Sequence, residues 1–172
     1  MTLLVLSVVG SDRPGLTQAL AAAVVSAGGN WLESHLSRLG GLYVGSLLVE
    51  LGEDSVDQLR SAVGAVDARG LEVRLVPAVE GPAAAGELLH FGLVGQDRPG
   101  IVNQVTSVLS GLDANIETFK TWIDAEAHSG IPLFHMEMRL RLAPELQAAR
   151  IQAALEEISA EIMVDIWLTP AP

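Results

Sequence analysis

Hydrophobic positions follow the same order of periods in the two halves of the chain. A nearly continuous apolar run opens each half, at residues 3–9 and 88–94, and is typical of a strand flanked by neighbours. Apolar residues then recur every three or four positions, which predicts an amphipathic helix with one buried face. The predicted core positions are Leu16, Leu20, Ala23, Val24 and Ala27 in the first helix and Ile101, Val105, Val108, Leu109 and Leu112 in its counterpart.

Each half continues with two extended segments, a second helix and a closing strand. Gly40 and Gly41 predict a tight hairpin between the extended segments of the first half. The corresponding hairpin of the second half is about four residues longer. The side chains expected to be buried in the extended segments are Trp31 with Ser34 or Leu36, and Ile116 with Phe119 or Trp122. The second helices are marked by Val56, Leu59, Val63 and Val66, and by Ile151, Leu155 and Ile158 after Pro144 at the helix start.

The order strand, helix, strand, strand, helix, strand therefore occurs twice. It predicts an α+β protein with two ferredoxin-like βαββαβ domains in tandem, each a four-stranded antiparallel sheet with two helices on one face. We expect the domains to span residues 1–78 and 88–169. Residues 79–87 form the predicted linker, because they are small, contain proline and interrupt both periods.

Composition narrows the classes of function. The chain has 172 residues, of which 49% are hydrophobic, yet no apolar run approaches the roughly 18 residues that span a bilayer. Its start lacks the basic segment of a signal peptide, so we expect a cytoplasmic protein without membrane association. Cysteine is absent, which excludes thiol catalysis and thiolate metal sites. The net charge of −11 argues against direct nucleic-acid binding.

One loop is written almost identically in the two halves, as GSDRPGL from residue 10 and GQDRPGI from residue 95. We name residues 12–15 the first DRPG loop and residues 97–100 the second DRPG loop. The proline is predicted in the first helical turn, and the aspartate is placed to cap that turn. The glycine leaves the first-turn amides uncovered, so each loop could hold an anion such as a carboxylate. The alternative is an ordinary capping turn without a ligand.

The sequence GxDRPG followed by Leu or Ile, an apolar helix and then an asparagine before a strand resembles the ACT domain in both halves. Two copies without an attached enzyme, and the segment SGIPLFHMEMRL in the second hairpin, resemble the glycine cleavage system transcriptional repressor group. Members of the ACT family are small-molecule-binding regulatory modules, usually for amino acids. The resemblance therefore implies the same two-domain fold and a regulatory role.

In the ACT family, amino acids lie between two modules, against the loop that joins the first strand to the first helix. The resemblance implies that the first-turn backbone amides bind the ligand carboxylate, while an aspartate or asparagine oxygen accepts from its ammonium group. The two copies differ at the helix start, Thr17-Gln18 against Val102-Asn103, so one copy alone could bind. The implied ligand-binding residues are Asp12, Arg13, Pro14, Gly15, Leu16 and Asn30, and in the second copy Asp97, Arg98, Pro99, Gly100, Ile101 and Asn115.

The expected function is that of an amino-acid-sensing regulatory protein, not an enzyme. It would bind glycine or serine, need no cofactor or metal, form a homodimer, and act through contact with a transcription factor or an enzyme. Two alternatives stay open. The chain could be a ligand-free pairing scaffold whose exposed strand edges join others. It could also be the regulatory subunit of an amino-acid or one-carbon enzyme, since the DRPG loop also resembles the amino-terminal module of formyltetrahydrofolate deformylase and of some phosphoserine phosphatases.

Other chemistry is sparse. No nucleophile, phosphate-binding or dinucleotide motif occurs. Asp124, Glu126 and His128 alternate along the second hairpin, but a solvated loop is the simpler interpretation than a metal site. His90 and His135 lie in apolar strand patterns and are predicted to be structural. The tryptophans Trp31, Trp122 and Trp167 are predicted to anchor the core or an interface.

Overall fold

The computed structural model describes residues 1–67, 70–79, 81, 85–125 and 130–171. The chain divides into two compact units, Met1–Glu80 and Gly81–Pro172. Each unit has the order strand, helix, strand, strand, helix, strand, which confirms the predicted fold. The finer domain limits, at residues 78 and 88, stay a prediction.

The first unit contains a four-stranded antiparallel sheet in the order β2-β3-β1-β4. Its edge strands are therefore β2 and β4. Its elements are β1 (Thr2–Ser11), α1 (Leu16–Ser26), β2 (Asn30–Leu39), β3 (Leu42–Leu51), a 3-10 turn (Glu53–Ser55), α2 (Val56–Asp67) and β4 (Leu71–Pro77).

The second unit repeats this topology with the strand order β6-β7-β5-β8. The prediction that Pro144 begins the second helix of this unit is wrong, because α4 begins at Ala148 with Gln147 as N-cap. The proline lies instead in a turn closed by the Leu146 amide, which donates to the Ala143 carbonyl at 2.9 Å. The elements are β5 (Leu88–Gln96), α3 (Ile101–Gly111), β6 (Asn115–Ala125), β7 (Pro132–Arg141), α4 (Ala148–Ile162) and β8 (Val164–Pro170).

The helices of each unit cover one face of its sheet. All five predicted core positions of α1 are buried, and those of α3 are buried or half-buried, because a period of 3.6 residues keeps them on one side. Alternate residues of the central strands supply the rest of the core. They include Leu4, Leu6 and Val8 in the first unit and Leu89, Phe91 and Leu93 in the second.

The edge strands β2 and β6 are less regular than the sequence pattern suggests. Each contains a bulge, between Trp31 and Glu33 and between Ile116 and Thr118. An extra residue shifts the alternation of faces. In β2, Trp31 and Leu36 pack against the core, whereas Ser34 is exposed.

In β6, Ile116 packs against the core as predicted, but Phe119 and Trp122 are not core residues. Phe119 stands opposite the buried Met138 on the helix side and is still 44% exposed, because an edge strand lies at the rim of the helix layer. Trp122 stands opposite His135, and the two rings stack at 4.9 Å between centroids. The predicted structural histidine therefore packs by stacking.

The first hairpin turns at Gly40 and Gly41, as predicted, with φ of 59° and 85°. These left-handed values at both central residues are those of the tight turn that suits the strand twist. In the second hairpin, residues 126–129 lie outside the described residues. Because Glu126 and His128 are among them, the prediction of a solvated loop for Asp124, Glu126 and His128 is not tested.

Glu117, the bulge residue of β6, ties three segments of the second unit together. Its carboxylate accepts a hydrogen bond from Arg141 Nε and lies 3.9 Å from Arg139 Nη2. Arg141 Nη1 also donates to the Gly86 carbonyl at 3.3 Å. The hydrogen bond from Arg141, assisted by the charges of both arginines, lowers the pKa of Glu117 below its ordinary value despite partial desolvation.

Gly45 in β3 provides the first test of the fold. A methyl group there would lie 1.9 Å from the His35 carbonyl oxygen, and its φ of +147° disfavours other residues. We expect Gly45→Ala to lower the free energy of unfolding by about 2–3 kcal/mol in urea denaturation. The control is Gly64→Ala in α2, where the added methyl meets nothing within 4 Å. It should stabilise by about 0.5–1 kcal/mol, and equal effects of the two changes would contradict this account.

The Glu117 cluster predicts a pH dependence of stability. Because the folded-state pKa is lowered, the stabilisation is complete above the ordinary glutamate pKa, about 4.3, and is lost as the pH falls through the lower folded value. The melting temperature of Glu117→Gln should therefore lie below that of the parent at neutral pH and converge with it in acid. Glu137→Gln, at a strand glutamate without an ion pair among the described residues, is the control and should show no such convergence.

Candidate functional site

The first DRPG loop leads from β1 into the N-terminus of α1. Gly15 is the N-cap residue and has the left-handed conformation, φ 89° and ψ 0°. Within the described residues no side chain caps this helix, and the first helical bond runs from the Ala19 amide to the Gly15 carbonyl at 2.9 Å. The backbone amides that come before Ala19 in the first turn of α1 therefore have no acceptor within the helix and can bind solvent or an anion.

The second DRPG loop has the same backbone. Gly100 is a left-handed N-cap with φ 100° and ψ −12°, and the Gln104 amide donates to its carbonyl at 3.0 Å. No side-chain cap is present at α3 in the described structure. A side chain at either glycine would meet no other atom within 4 Å, so the left-handed backbone is what favours glycine at both positions.

The predicted capping role of the loop aspartates and the predicted helical position of the prolines are wrong. A left-handed glycine is the N-cap, so Pro14 and Pro99 precede the helix and do not occupy its first turn. Asp12 stands three residues before the cap, and its carboxylate pairs with Arg38 Nε at 3.2 Å. In the second loop, the Asp97 amide donates to the Pro132 carbonyl at 3.1 Å and so ties the loop to β7.

The two loop arginines fasten each loop to the chain segment before the last strand of its unit. Arg98 Nη2 donates to the Glu161 carbonyl at 3.4 Å, at the end of α4. The guanidinium of Arg13 lies against Gly70, just before β4, where an added methyl would come 2.5 Å from Nη2. These contacts give the arginines a structural role in holding the loops in place.

The remaining predicted residues divide between the two ends of the sheet. The side chains of Leu16 and Ile101 are buried, so these residues present only their backbone to the loop. Asn30 and Leu3 both pair with Glu50, which places Asn30 level with the start of β1. The first DRPG loop follows Ser11, at the other end of β1. At about 3.3 Å per residue, this separates Asn30 from its own loop by some 25 Å. Asn115 occupies the matching place in the second unit.

Four side chains form a polar group beside the first loop, and the sequence singled out only two of them. Thr17 Oγ1 and Tyr43 Oη are 2.7 Å apart, and Asp12 pairs with Arg38. Arg38 and Tyr43 are directly opposite each other in β2 and β3, which brings the two pairs together near the start of α1. Arg38 and Tyr43 were missed because their proximity to the loop depends on strand pairing.

Three of the four corresponding positions of the second unit are apolar, and only Asp97 keeps the aspartate of the first loop. Ile123 stands opposite Phe134 as Arg38 stands opposite Tyr43, and Val102 takes the place of Thr17 in the first turn of α3. Ile123 is 58% and Val102 is 39% exposed. The two loops thus share a backbone but differ in the chemistry around it.

Residues 12–15 of the first loop are exposed, as are Asp97, Pro99 and Gly100 of the second. Depressions formed by the described residues lie between α1 and α2, beside the end of α3, and on the sheet between β1 and β4. None of these is lined by Gly15 or Gly100. The described residues also form no group of three or more His, Cys, Asp or Glu that could hold a metal ion.

The sequence model described as the ACT domain matches residues 2–74, which is nearly all of the first unit. No curated protein matches the chain significantly. Among the described helices, none has the length and apolar character needed to cross a membrane.

Solved structures resemble the whole chain. An unknown protein from Galdieria sulphuraria is 27% identical with a TM-score of 0.87, and 99% of each chain is covered. A structure provisionally identified as a glycine cleavage system transcriptional repressor is 15% identical with a TM-score of 0.68, over 98% of this chain and 96% of its own. At that identity the likeness concerns the fold alone. A formyltetrahydrofolate deformylase from Pseudomonas putida KT2440 matches half of this chain at a TM-score of 0.42, too low to inform function.

Amide exchange tests the uncapped helix starts. Thr17 and Val102 lie in first turns without a side-chain cap, whereas Ala19 and Gln104 donate to the cap carbonyls. In hydrogen-exchange measurements by NMR, we expect the first pair to exchange at least about tenfold faster than the second. Equal protection of Thr17 and Ala19 would show that another group already occupies the first-turn amides.

Proposed function

We propose, from the ACT-domain match of the first unit and the repeated fold of the second, that the chain is a cytoplasmic amino-acid-sensing regulatory protein whose first DRPG loop is the binding site. One observation carries the proposal. The open N-terminus of α1 lies beside two exposed polar pairs, Asp12 with Arg38 and Thr17 with Tyr43.

Each part of a small amino acid has a matching group at this loop. The first-turn amides and the positive end of the helix dipole suit the carboxylate. The Asp12 carboxylate suits the ammonium group. Its bond to Arg38 joins side chains that are 41% and 72% exposed, so the pair is weak and its partners are free to exchange. Among the described residues, the hydroxyls of Thr17 and Tyr43 bond to each other, so one of the two O–H groups is left to donate to a polar ligand atom. Glycine or serine is the proposed ligand class.

The second loop is not proposed as an equivalent site. Its backbone offers the same amides and Asp97 corresponds to Asp12, but Val102, Ile123 and Phe134 replace Thr17, Arg38 and Tyr43 and offer a ligand no hydroxyl or charge. Leaving a polar ligand atom unpaired against apolar side chains costs free energy. We therefore propose that the first unit binds the amino acid and the second has another role.

Regulation would follow from a difference in affinity. A ligand shifts an equilibrium only when it binds one assembly better than another, and an open loop that is completed by a second surface provides that difference. The partner is proposed to be a transcription factor or an enzyme. The net charge of −11 with a single lysine supports contact with a protein in preference to nucleic acid.

A ligand-free pairing scaffold is the second candidate. It is favoured by the apolar surface of the second unit, where Ile123 and Phe119 are exposed on an edge strand. A regulatory subunit of an amino-acid or one-carbon enzyme is the remaining alternative, and a folded enzyme recovered with the chain would support it.

Titration with the twenty amino acids tests the proposal. At a hundredfold excess over the dissociation constant, the bound amino acid should stabilise the fold by about 2.7 kcal/mol in thermal unfolding. Asp12→Asn should weaken binding about 10- to 100-fold in calorimetry, because it removes one charge-assisted hydrogen bond. The matched control is Asp97→Asn in the second loop, which should leave binding unchanged. If no amino acid stabilises the chain at millimolar concentration, the scaffold is the better account.

A further inference from the structure

Trp167 lies on the face of the second sheet that the helices do not cover. Its neighbours in β8, Ile166 and Leu168, pack against the core, so the Trp167 side chain points to the other face. It stands opposite Gly92 of β5 and is 46% exposed. The indole ring therefore lies outside the core, on a surface open to solvent.

Gly92 makes the space that the indole occupies. A Cβ atom at this glycine would lie 1.9 Å from Trp167 Cε2 and 2.3 Å from Nε1, so the ring crosses β5 where any other residue would carry a side chain. We name Trp167, placed over Gly92, the indole platform. The equivalent pair of the first unit is Ser7 with Arg74. The platform therefore belongs to the second unit and not to the fold in general.

Two carboxylates flank the indole platform. Asp165 lies two residues before Trp167 in β8 and therefore on the same face of the sheet. Glu137 in β7 pairs with Gly92, so the ring that crosses this glycine extends toward Glu137. Both acidic residues are exposed, and neither has an ion pair among the residues that the structure describes. The ring thus lies between two uncompensated negative charges.

The cations nearest to Glu137 along the strands have other partners. Lys120 stands opposite Glu137, but its Nζ atom lies 4.9 Å from the centre of the Trp122 ring. Arg139, two residues further along β7, lies 3.9 Å from Glu117 through Nη2. The chain itself therefore supplies a cation to Trp122, whereas none of the described cations stands over the indole platform.

We propose that the indole platform, together with Glu137 and Asp165, binds the guanidinium group of an arginine in the partner protein. A guanidinium stacks on the face of an indole ring, and its fork of N–H donors pairs with carboxylates beside the ring. The net charge of −11 also favours a basic partner segment over an acidic one. The assignment rests on the proposed contact with a protein, and it adds the chemistry of the contacted surface.

A nucleic-acid base is the other planar group that stacks on an exposed aromatic side chain of an open sheet. Binding of a nucleic acid also requires cations that face its phosphate groups. Glu137 and Asp165 flank the ring instead, and their charges repel phosphate. The charges around the indole platform therefore favour an arginine.

The indole N–H signals report binding directly, because the chain has three tryptophans. In NMR spectra of the full chain, the signal that is lost in Trp167→Phe identifies the platform. Titration with a terminally blocked Arg-Gly-Arg-Gly-Arg peptide should shift this signal and leave that of Trp31, in the first unit, unchanged. The peptide has no free amino or carboxyl terminus, so it cannot replace the amino acid proposed for the first DRPG loop.

Calorimetry with the same peptide measures the contribution of each group. Trp167→Leu should weaken binding at least about fivefold, because leucine has no ring face, and Trp167→Phe should weaken it less. The double change Glu137→Gln and Asp165→Asn should also weaken binding about fivefold. The matched control is Glu72→Gln, at the place of Asp165 in the first unit, and it should leave binding unchanged. Circular dichroism of each variant shows whether it is folded.

Three further ligands separate arginine recognition from general attraction. A peptide with citrulline in place of arginine should not bind, and the lysine peptide should bind at least about threefold more weakly. Equal binding of the lysine and arginine peptides, or no shift of the Trp167 signal at millimolar peptide, would overturn the proposal. A shift caused by single-stranded RNA and not by the peptide would also overturn it. Glycine and serine are titrated separately, so the amino-acid site of the first loop stands or falls on its own.

Discussion

One-sided burial governs both units. Two helices cover a single face of each four-stranded sheet, and the apolar rows of β1 and β5 face that layer. Among the described residues, the hydrophobic core of each unit lies between its sheet and these helices. What remains accessible is the start of the first helix, the opposite face of the sheet and its outer strands. The candidate site lies in these parts.

The start of the first helix follows from a backbone requirement. A left-handed glycine ends the loop and begins the helix in both units, with φ of 89° and 100°. This conformation leaves the first turn without a side-chain cap, while an arginine from the same loop ties it to the segment before the last strand. The loop is thus held firmly while its amides stay open, and that combination suits reversible binding of a small anion.

Duplication kept the backbone and changed the side chains around it. The pair Arg38 and Tyr43 in the first unit corresponds to Ile123 and Phe134 in the second. Polar groups beside an open helix start favour a zwitterionic ligand, whereas exposed apolar groups on an edge strand favour another protein surface. The amino-acid site proposed above is therefore assigned to the first unit alone.

The amino-acid sequence alone determined the elements and the helix cores, because the period of apolar residues sets which side of a helix is buried. It also located the hairpin at Gly40 and Gly41, since only a few residue types tolerate that turn. Tertiary structure decided what surrounds the repeated loop. The N-cap fell on glycine instead of the expected aspartate, and strand pairing brought Arg38 and Tyr43 to the helix start. It also placed Asn30 at the far end of the sheet. Periodicity is a property of neighbours along the chain, whereas a site is assembled from strands whose register and bulges depend on the packed whole.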